Sequence, residues 1–508
     1  MSTAAQGSPL RLYNTLSRTI ETFEPAIPGR VRMYVCGMTV YDYCHIGHAR
    51  AMITFDVVVR WLREKGLDVT YVRNHTDVDD KIIARALELG EDPLALSARF
   101  IEALETDLGR LGLVEPDVSP KVSTHIDAII DMIRSLIDRG HAYVTDGGDV
   151  WFSVESFPRY GQLSGKRLDD LRAGERIAVD DRKRHPGDFA LWKAARPGEP
   201  AWDSPWGRGR PGWHIECSAM ATRHLGETFD IHGGGIDLVF PHHENEIAQA
   251  ECATGHSPFA RYWMHNGHLT LVDDEGTPVK MSKSLGNVIN IRDLLDEVPA
   301  EAVRILYLDS HYRKPLPFSR QRLQDALMAA ERVYLARQAL ETMAAREPAA
   351  PASQVAADLG GDAQALYELA QGFEPRFAAA MDEDFNTARA LGELFELVRA
   401  VNRFANHRKW WKRSSALAAM VLPCFDLAGR VLGVGGTDST AFFDELTDKL
   451  LARAGLDRAD IEARIDARQQ ARADKDWARA DALRDELDAL GVVVMDGPQG
   501  TTWRMRVG

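Results

Sequence analysis

The spacing of apolar residues changes several times along the chain. Val31–Val35 is an apolar run behind the Pro28-Gly29 turn signal and predicts a short strand. From Ile46 to Lys65 apolar residues recur at helical spacing, and Gly66 supplies the stop. Asp68–Asn74 predicts a second strand, and Asp80–Leu89 a second helix ended by Gly90. Strand, helix, strand, helix predicts a parallel, doubly wound α/β sheet. Between Leu111 and Trp213 short strand-like pieces such as Asp149–Val154 sit among Gly and Pro turns, which predicts an insertion in the sheet. Patterning resumes near Trp213, and Leu269–Val279 predicts a hairpin turning at Asp273–Gly276. After Pro317 the Ala-, Leu-, Glu- and Arg-rich chain predicts a helix bundle. Ala344–Gly361 is low in complexity and predicts a loop or linker, and Gly433–Gly436 marks another boundary. Helices and a β-like tail, Gly491–Arg506, complete the pattern, with no internal repeat.

Composition narrows the class. With 508 residues, 45% hydrophobic and 27% charged, the chain is globular and of about three domains. The longest apolar candidate, Ala51–Leu62, is interrupted by Asp56 and Arg60, so no membrane span is expected. The first residues lack a basic segment before an apolar core, so no signal peptide is expected either. Five unevenly spaced cysteines fit a reducing cytoplasm. A net charge of −14 argues against nonspecific nucleic-acid binding but leaves room for a local basic face.

Three constellations carry candidate chemistry. The first is Tyr41-Asp-Tyr-Cys-His-Ile-Gly-His48, at a predicted helix start. Free N–H groups there attract phosphate, His45 and His48 add donors, and Gly47 lets a flat ring approach. The second is Lys280-Met-Ser-Lys-Ser284, where two lysines and two hydroxyls on a short loop suit a departing polyphosphate. Either alone also reads as an ordinary helix cap or solvated loop. The third comprises Cys36, Cys217, His242 and Glu246. Two thiolates, an imidazole and a carboxylate suit zinc. The spacing is not that of a zinc finger, and His243 shares a helical face with Glu246 as well as His242 does. Bare residues favour two buried structural cysteines and a polar helix face.

His45-Ile-Gly-His48 and Lys280-Met-Ser-Lys-Ser284, in this order, resemble the two signature motifs of class I aminoacyl-tRNA synthetases. Tyr34-Val-Cys-Gly-Met-Thr-Val-Tyr-Asp42, Asn74-His-Thr-Asp-Val-Asp-Asp-Lys81, Pro211-Gly-Trp-His-Ile-Glu-Cys217, Ile231-His-Gly-Gly-Gly235, Pro241-His-His-Glu-Asn-Glu246 and Gly497-Pro-Gln-Gly-Thr-Thr-Trp503 resemble cysteinyl-tRNA synthetases over nearly the whole chain. The resemblance implies one zinc per subunit on Cys36, Cys217, His242 and Glu246. It implies cysteine contacts at Gly37, Thr76, Trp213 and Asp237, and ATP contacts at His45, Gly47, His48 and Lys283, with Lys280 supporting. It implies a Rossmann-type catalytic domain (1–120 and 213–265), an inserted domain (121–212), a stem-contact region with the second motif (266–320), a helix bundle (321–432) and an anticodon-binding domain (433–508).

The implied reaction joins L-cysteine to ATP-Mg2+, releases pyrophosphate, and passes cysteine to tRNA(Cys), in a cytoplasmic monomer with no membrane partner. Zinc fits that task, because an apolar pocket separates near-isosteres such as serine and cysteine by only about 10²-fold. Four protein ligands close a tetrahedral site, so Glu246 is expected to be the weak ligand that lets the substrate sulfur in. Cys44, Cys252 and Cys424 are expected to be small core residues. Asn406–Arg413, Arg468–Arg484 and Trp503–Arg506 are candidate RNA contacts. Two other readings are a mycothiol-type cysteine:amino-sugar ligase and a non-catalytic zinc- or RNA-binding relative.

Overall fold

The structure is a computed structural model that describes residues 9–167, 182–273, 275–279, 286–348, 350–497 and 500–507. The chain folds into two compact units, 1–270 with 311–316 and 381–386, and the remainder.

The first unit is built on a four-stranded parallel sheet. Its elements are β1 (Arg30–Val35), α1 (Ile46–Glu64), β2 (Asp68–Arg73), α2 (Trp213–Leu225), β3 (Phe229–Gly235), α3 (Glu244–Thr254) and β4 (Ala260–Asn266). The strand order is β4-β3-β1-β2, all parallel. The first crossover runs outward from β1 to β2, and the chain then returns to the other side of β1 as β3. This reversal opens a crevice beyond the carboxyl ends of β1 and β3, the usual ligand position in such sheets. Val31, Met33, Tyr34 and Val35 of β1 are all buried, as befits a strand covered on both faces.

The predicted α1, β1 and β2 boundaries hold to within a residue, and the helix Asp80–Leu89 ends at a left-handed Gly90 as expected. The expected strand within Asp149–Val154 is Val150–Phe152. It belongs to a four-stranded antiparallel sheet of Ala142–Val144, Val150–Phe152, Phe189–Ala194 and Gly209–Pro211. The stretch after Leu111 is more than an insertion, however. Val118 and Lys121 bridge in parallel to Val72 and His75, extending the Rossmann sheet at its β2 edge. Helix Ile126–Asp138 buries Ile129, Ile133 and Leu136 in the same core as Tyr34, Ile215 and Trp263.

In the second unit, Leu271–Val272 pairs antiparallel with Pro278–Val279, as predicted. Helices Arg320–Ala344, Thr387–Ala405 and Ser415–Leu432 pack together. Two expectations are corrected here. Within the supposed linker, Ala352–Leu359 is an α-helix burying Val355 and Ala356. The longest apolar segment is not Ala51–Leu62. Among the described residues, Ser415–Leu432 is the helix long and apolar enough to cross a membrane, and 56% of that window is buried inside the protein. The tail is a pair of helices, Arg458–Ala473 and Trp477–Ala489, followed by the antiparallel hairpin Val492–Gly497 and Gly500–Met505.

Candidate active site and metal cluster

The connection from β1 to α1 carries the Tyr41–His48 constellation and one member of the metal set, Cys36. His45 is the N-cap of α1, its Nδ1 accepting from the backbone N–H of Gly47 at 3.1 Å and His48 at 3.3 Å. His48 reciprocates, its Nδ1 accepting from His45 N at 3.4 Å, which makes an imidazole version of a capping box. The two rings stack at 3.6 Å. With Nδ1 an acceptor, the proton of each neutral ring sits on Nε2, so the pair presents N–H donors at a helix N-terminus. The predicted lysines Lys280 and Lys283 lie outside the described residues.

Cys36 follows β1 directly, and its backbone N–H donates to Gly233 of β3 at 3.1 Å. Cys217 comes from α2, and His242 and Glu246 from the entry and first turn of α3. Their ligating atoms lie within 4.8 Å of one another, all buried. Cys36 Sγ is 3.7 Å from Cys217 Sγ and 3.5 Å from Glu246 Oε1, and His242 Nε2 is 3.0 Å from the same oxygen. The ligating atoms of a second grouping, Cys36, His232, His243 and Glu246, lie equally close together. In it, His243 Nδ1 is bonded to His265 Nε2 at 2.8 Å, and His232 Nε2 to Glu246 Oε2 at 2.8 Å. The ambiguity between His242 and His243 therefore stays open: His242 joins both cysteines and Glu246, and His243 spends Nδ1 on His265 while its Nε2 lies 3.9 Å from Glu246 Oε1.

The electrostatics describe a cluster held together by protons. Burial pushes the Cys36 thiol well above its usual range, and Cys217 adds to this. Burial would raise Cys217 too, but hydrogen bonds from Cys36 and His242 bring it down to about 6. Burial opposes the charge on His242, yet Glu246 and Cys217 lift it to about 10. Glu246 is held well below the carboxylate range, its burial outweighed by His232 and His242. Two acidic groups are thus charged and compensated by protons on their neighbours, a donor set that a divalent cation fits by displacing those protons. Behind it, His214 Nδ1 is 3.0 Å from His242 Nδ1, which leaves the Nε2 of His242 for Glu246.

Of the remaining predicted contacts, Trp213 touches this cluster directly. Trp213, exposed, stacks on His242 with centroids 4.4 Å apart. Gly37 N donates to Asn74 Oδ1 at 2.8 Å, and a Cβ there would lie 1.7 Å from the Asn74 carbonyl oxygen, so only glycine fits. Thr76 Oγ1 donates to Glu216 Oε1 at 3.0 Å. Burial beside Cys217 pushes the Glu216 carboxyl well above its usual value. Asp237 stands exposed on the turn after β3. Sequence reasoning missed His214, His232, His243 and His265 as a connected set. Their signal was a recurrence of polar residues in elements otherwise apolar, such as Phe229–Gly235. Cys44, Cys252 and Cys424 are buried, as expected.

The RNA candidates separate. Arg468 is buried and forms a bidentate pair with Asp496 at 2.8 and 3.0 Å, which makes it a structural residue of the tail. Arg504 pairs with Glu331 at 2.8 Å, and Arg506 with Asp488. In Arg408–Arg413, Trp410 stacks on His407 and Arg408 lies over Trp411.

Residues 22–328 match the family described as the class I (C) tRNA synthetase catalytic domain. Residues 376–434 match the DALR domain, and 458–504 the cysteinyl-tRNA ligase anticodon binding domain. Among solved structures, Mycobacterium tuberculosis methionyl-tRNA synthetase in complex with methionyl-adenylate is similar with a TM-score of 0.61 at 15% identity, over 82% of this chain and 93% of that one. Fold and signature helix are those of a class I aminoacyl-tRNA synthetase. A cysteine–tRNA ligase of Alkalilimnicola ehrlichii is 54% identical over 97% of this chain and 99% of its own length. Those of Methylococcus capsulatus and Syntrophotalea carbinolica are 53% and 51% identical, over 97% and 98% of this chain and 99% and 100% of theirs. The chain belongs to the cysteine–tRNA ligase family.

Proposed function

We infer that this chain joins L-cysteine to the 3′-terminal adenosine of tRNA(Cys) with ATP, in two steps. The observation that carries the reading is the buried Cys36–Cys217–His242–Glu246 cluster, whose Cys36 shares the β1–α1 connection with the His45–His48 cap. In the first step a cysteine carboxylate oxygen attacks the α-phosphorus of ATP-Mg2+. The bond to the bridging oxygen breaks, and pyrophosphate leaves. Such a displacement needs positioning and charge neutralisation more than a protein nucleophile. His45 and His48 donate from Nε2 to phosphate oxygens, Gly47 admits the nucleotide, and Lys283 with Lys280 neutralises the leaving group. In the second step a terminal ribose hydroxyl attacks the adenylate carbonyl, and AMP leaves.

Cys36, Cys217, His242 and Glu246 would hold zinc, one per subunit. When bound, zinc supplies a borderline-soft Lewis acid that takes a thiol as ligand and lowers its pKa, whereas a neutral serine hydroxyl is a poor ligand. Glu246 would be the weakest of these ligands, since His232 already holds its second oxygen. Gly37, Thr76, Trp213 and Asp237 contact the rest of the amino acid. The match of residues 458–504 to an anticodon binding domain favours tRNA over an amino sugar as acceptor. The protein acts as a cytoplasmic monomer without a membrane partner.

Pyrophosphate exchange with cysteine and with serine, followed by charging of tRNA(Cys) or an amino sugar, tests the reading. Cysteine-dependent exchange and tRNA charging are expected. Transfer to the amino sugar in place of tRNA, or no exchange at all, would overturn it.

A further inference from the structure

One hydrogen-bond chain links the segments that follow β1 and β2 to helix α2. Gly37 N–H donates to Asn74 Oδ1 at 2.8 Å, Asn74 Nδ2 donates to Thr76 Oγ1 at 3.3 Å, and Thr76 Oγ1 donates to Glu216 Oε1 at 3.0 Å. Asn74, Thr76 and Glu216 are all buried. The chain starts beside Cys36, at the end of β1, and finishes beside Cys217, in α2. A threonine hydroxyl has one proton and two lone pairs. Here the proton goes to Glu216 and one lone pair to Asn74, so the oxygen has only an acceptor left to offer. The second oxygen of Glu216 has no hydrogen-bond partner among the described residues.

We propose that Glu216 is a positioning residue that fixes the Thr76 hydroxyl as an acceptor, so that the pocket selects a substrate bringing a donor, its α-ammonium group, to that oxygen. The proposal rests on the ligase reading above and on Thr76 as a substrate contact. A site built to pair with a donor rejects the analogue that lacks one far more strongly than an apolar pocket rejects a missing methylene. The Cys36–Cys217–His242–Glu246 cluster, with its metal bound, would read the sulfur end of the amino acid, and the Glu216–Thr76 pair its ammonium end.

The test is pyrophosphate exchange by the full-length, zinc-loaded protein, comparing KM for cysteine with the inhibition constant of 3-mercaptopropionate. That compound keeps the thiol and carboxylate and lacks the amine. Glu216→Ala should raise KM for cysteine by about tenfold and leave 3-mercaptopropionate inhibition, KM for ATP and zinc content unchanged. Glu216→Gln, whose amide oxygen still accepts from Thr76, should restore most of the affinity. Glu216→Ala placed on Thr76→Val should add little, because the two act through one oxygen. Glu216→Leu keeps the volume and carries the same comparison should the alanine variant fail to fold. A parallel rise for cysteine and 3-mercaptopropionate, no change in either, full additivity with Thr76→Val, or a glutamine variant as impaired as alanine would overturn the proposal. Cysteine-dependent exchange in the unmodified protein separates these failures from a failure of the ligase reading, which would remove both.

Discussion

Helix α3 and helix Ser415–Leu432 are both core helices, and they are buried for opposite reasons. In Ser415–Leu432 the buried set is mostly apolar, including Leu417, Val421, Phe425, Val431 and Leu432. In α3 every residue from Glu244 to Ala253 is buried, and five of them are Glu, Asn or Gln. Burying such groups costs free energy unless each finds a partner. Here each of the five has one. Glu244 accepts from the backbone of Gly161 and Ser164, Asn245 from Tyr160, Gln249 meets Ser218, and Glu251 accepts from Phe259 N and Arg159. Glu246 alone faces the cysteines. One helix supplies stability through transfer free energy. The other gives some of it up to hold ligating atoms in place, and its partners form the scaffold of that placement.

The contrast can be broken from either side. The largest effect is expected at the cluster. Cys217→Ser should empty the metal site and lower cysteine-dependent pyrophosphate exchange by more than about 100-fold, beyond the usual loss for an outer-shell change. Metal analysis and exchange assays check this, and melting should change far less than activity. Phe425→Ala should do the reverse, costing about 3–5 kcal/mol in urea unfolding while metal content and cysteine selectivity stay intact. His45→Ala sits between the two. It removes both a helix cap and a phosphate donor, so adenylate formation should fall about 100-fold and stability by about 1 kcal/mol.

The last effect is a pH dependence, confined to acid solution. Burial, with Arg73 and Lys121 nearby, lowers His75 to about 4 from 6.5. Glu105 stands 3.4 Å away but is largely solvated, too screened to reverse this. Neutral His75 is tolerated, and the charged form is not. Its contribution is therefore complete above pH 6.5 and is lost as pH falls toward 4, at about 1.4 kcal/mol per unit in that window. Urea midpoints at pH 7 and pH 5 should differ less in His75→Gln than in the parent chain.

How much of this was legible in the sequence depended on local signals. β1, α1, β2 and the next helix are bracketed by Pro28-Gly29, Gly66 and Gly90, residues whose backbone preferences act locally, and their limits were legible to a residue. Ala352–Leu359 was not, because Ala and Pro enrichment looks like a linker until Val355 and Ala356 find a surface to cover. Helix Ile126–Asp138 was absorbed into the expected insertion for the same reason: its apolar face gains meaning only against α2 and α3. The ligand set shows the limit most clearly. Residues 242 and 243 both share a helical face with Glu246, and neighbours from other elements decide where each ring turns, His214 of α2 for His242 and His265 of β4 for His243. Arg468 shows the converse, since basic residues in a row look alike in sequence until Asp496 claims one of them.

Cysteine, on this account, is chosen by coordination rather than by fit. X-ray absorption at the zinc edge of the purified protein, with and without cysteine, addresses that choice most directly. Two protein sulfur neighbours are expected in the free state and one more on adding cysteine, with no change on adding serine. A zinc shell that gains no sulfur when cysteine is bound and turned over would contradict it.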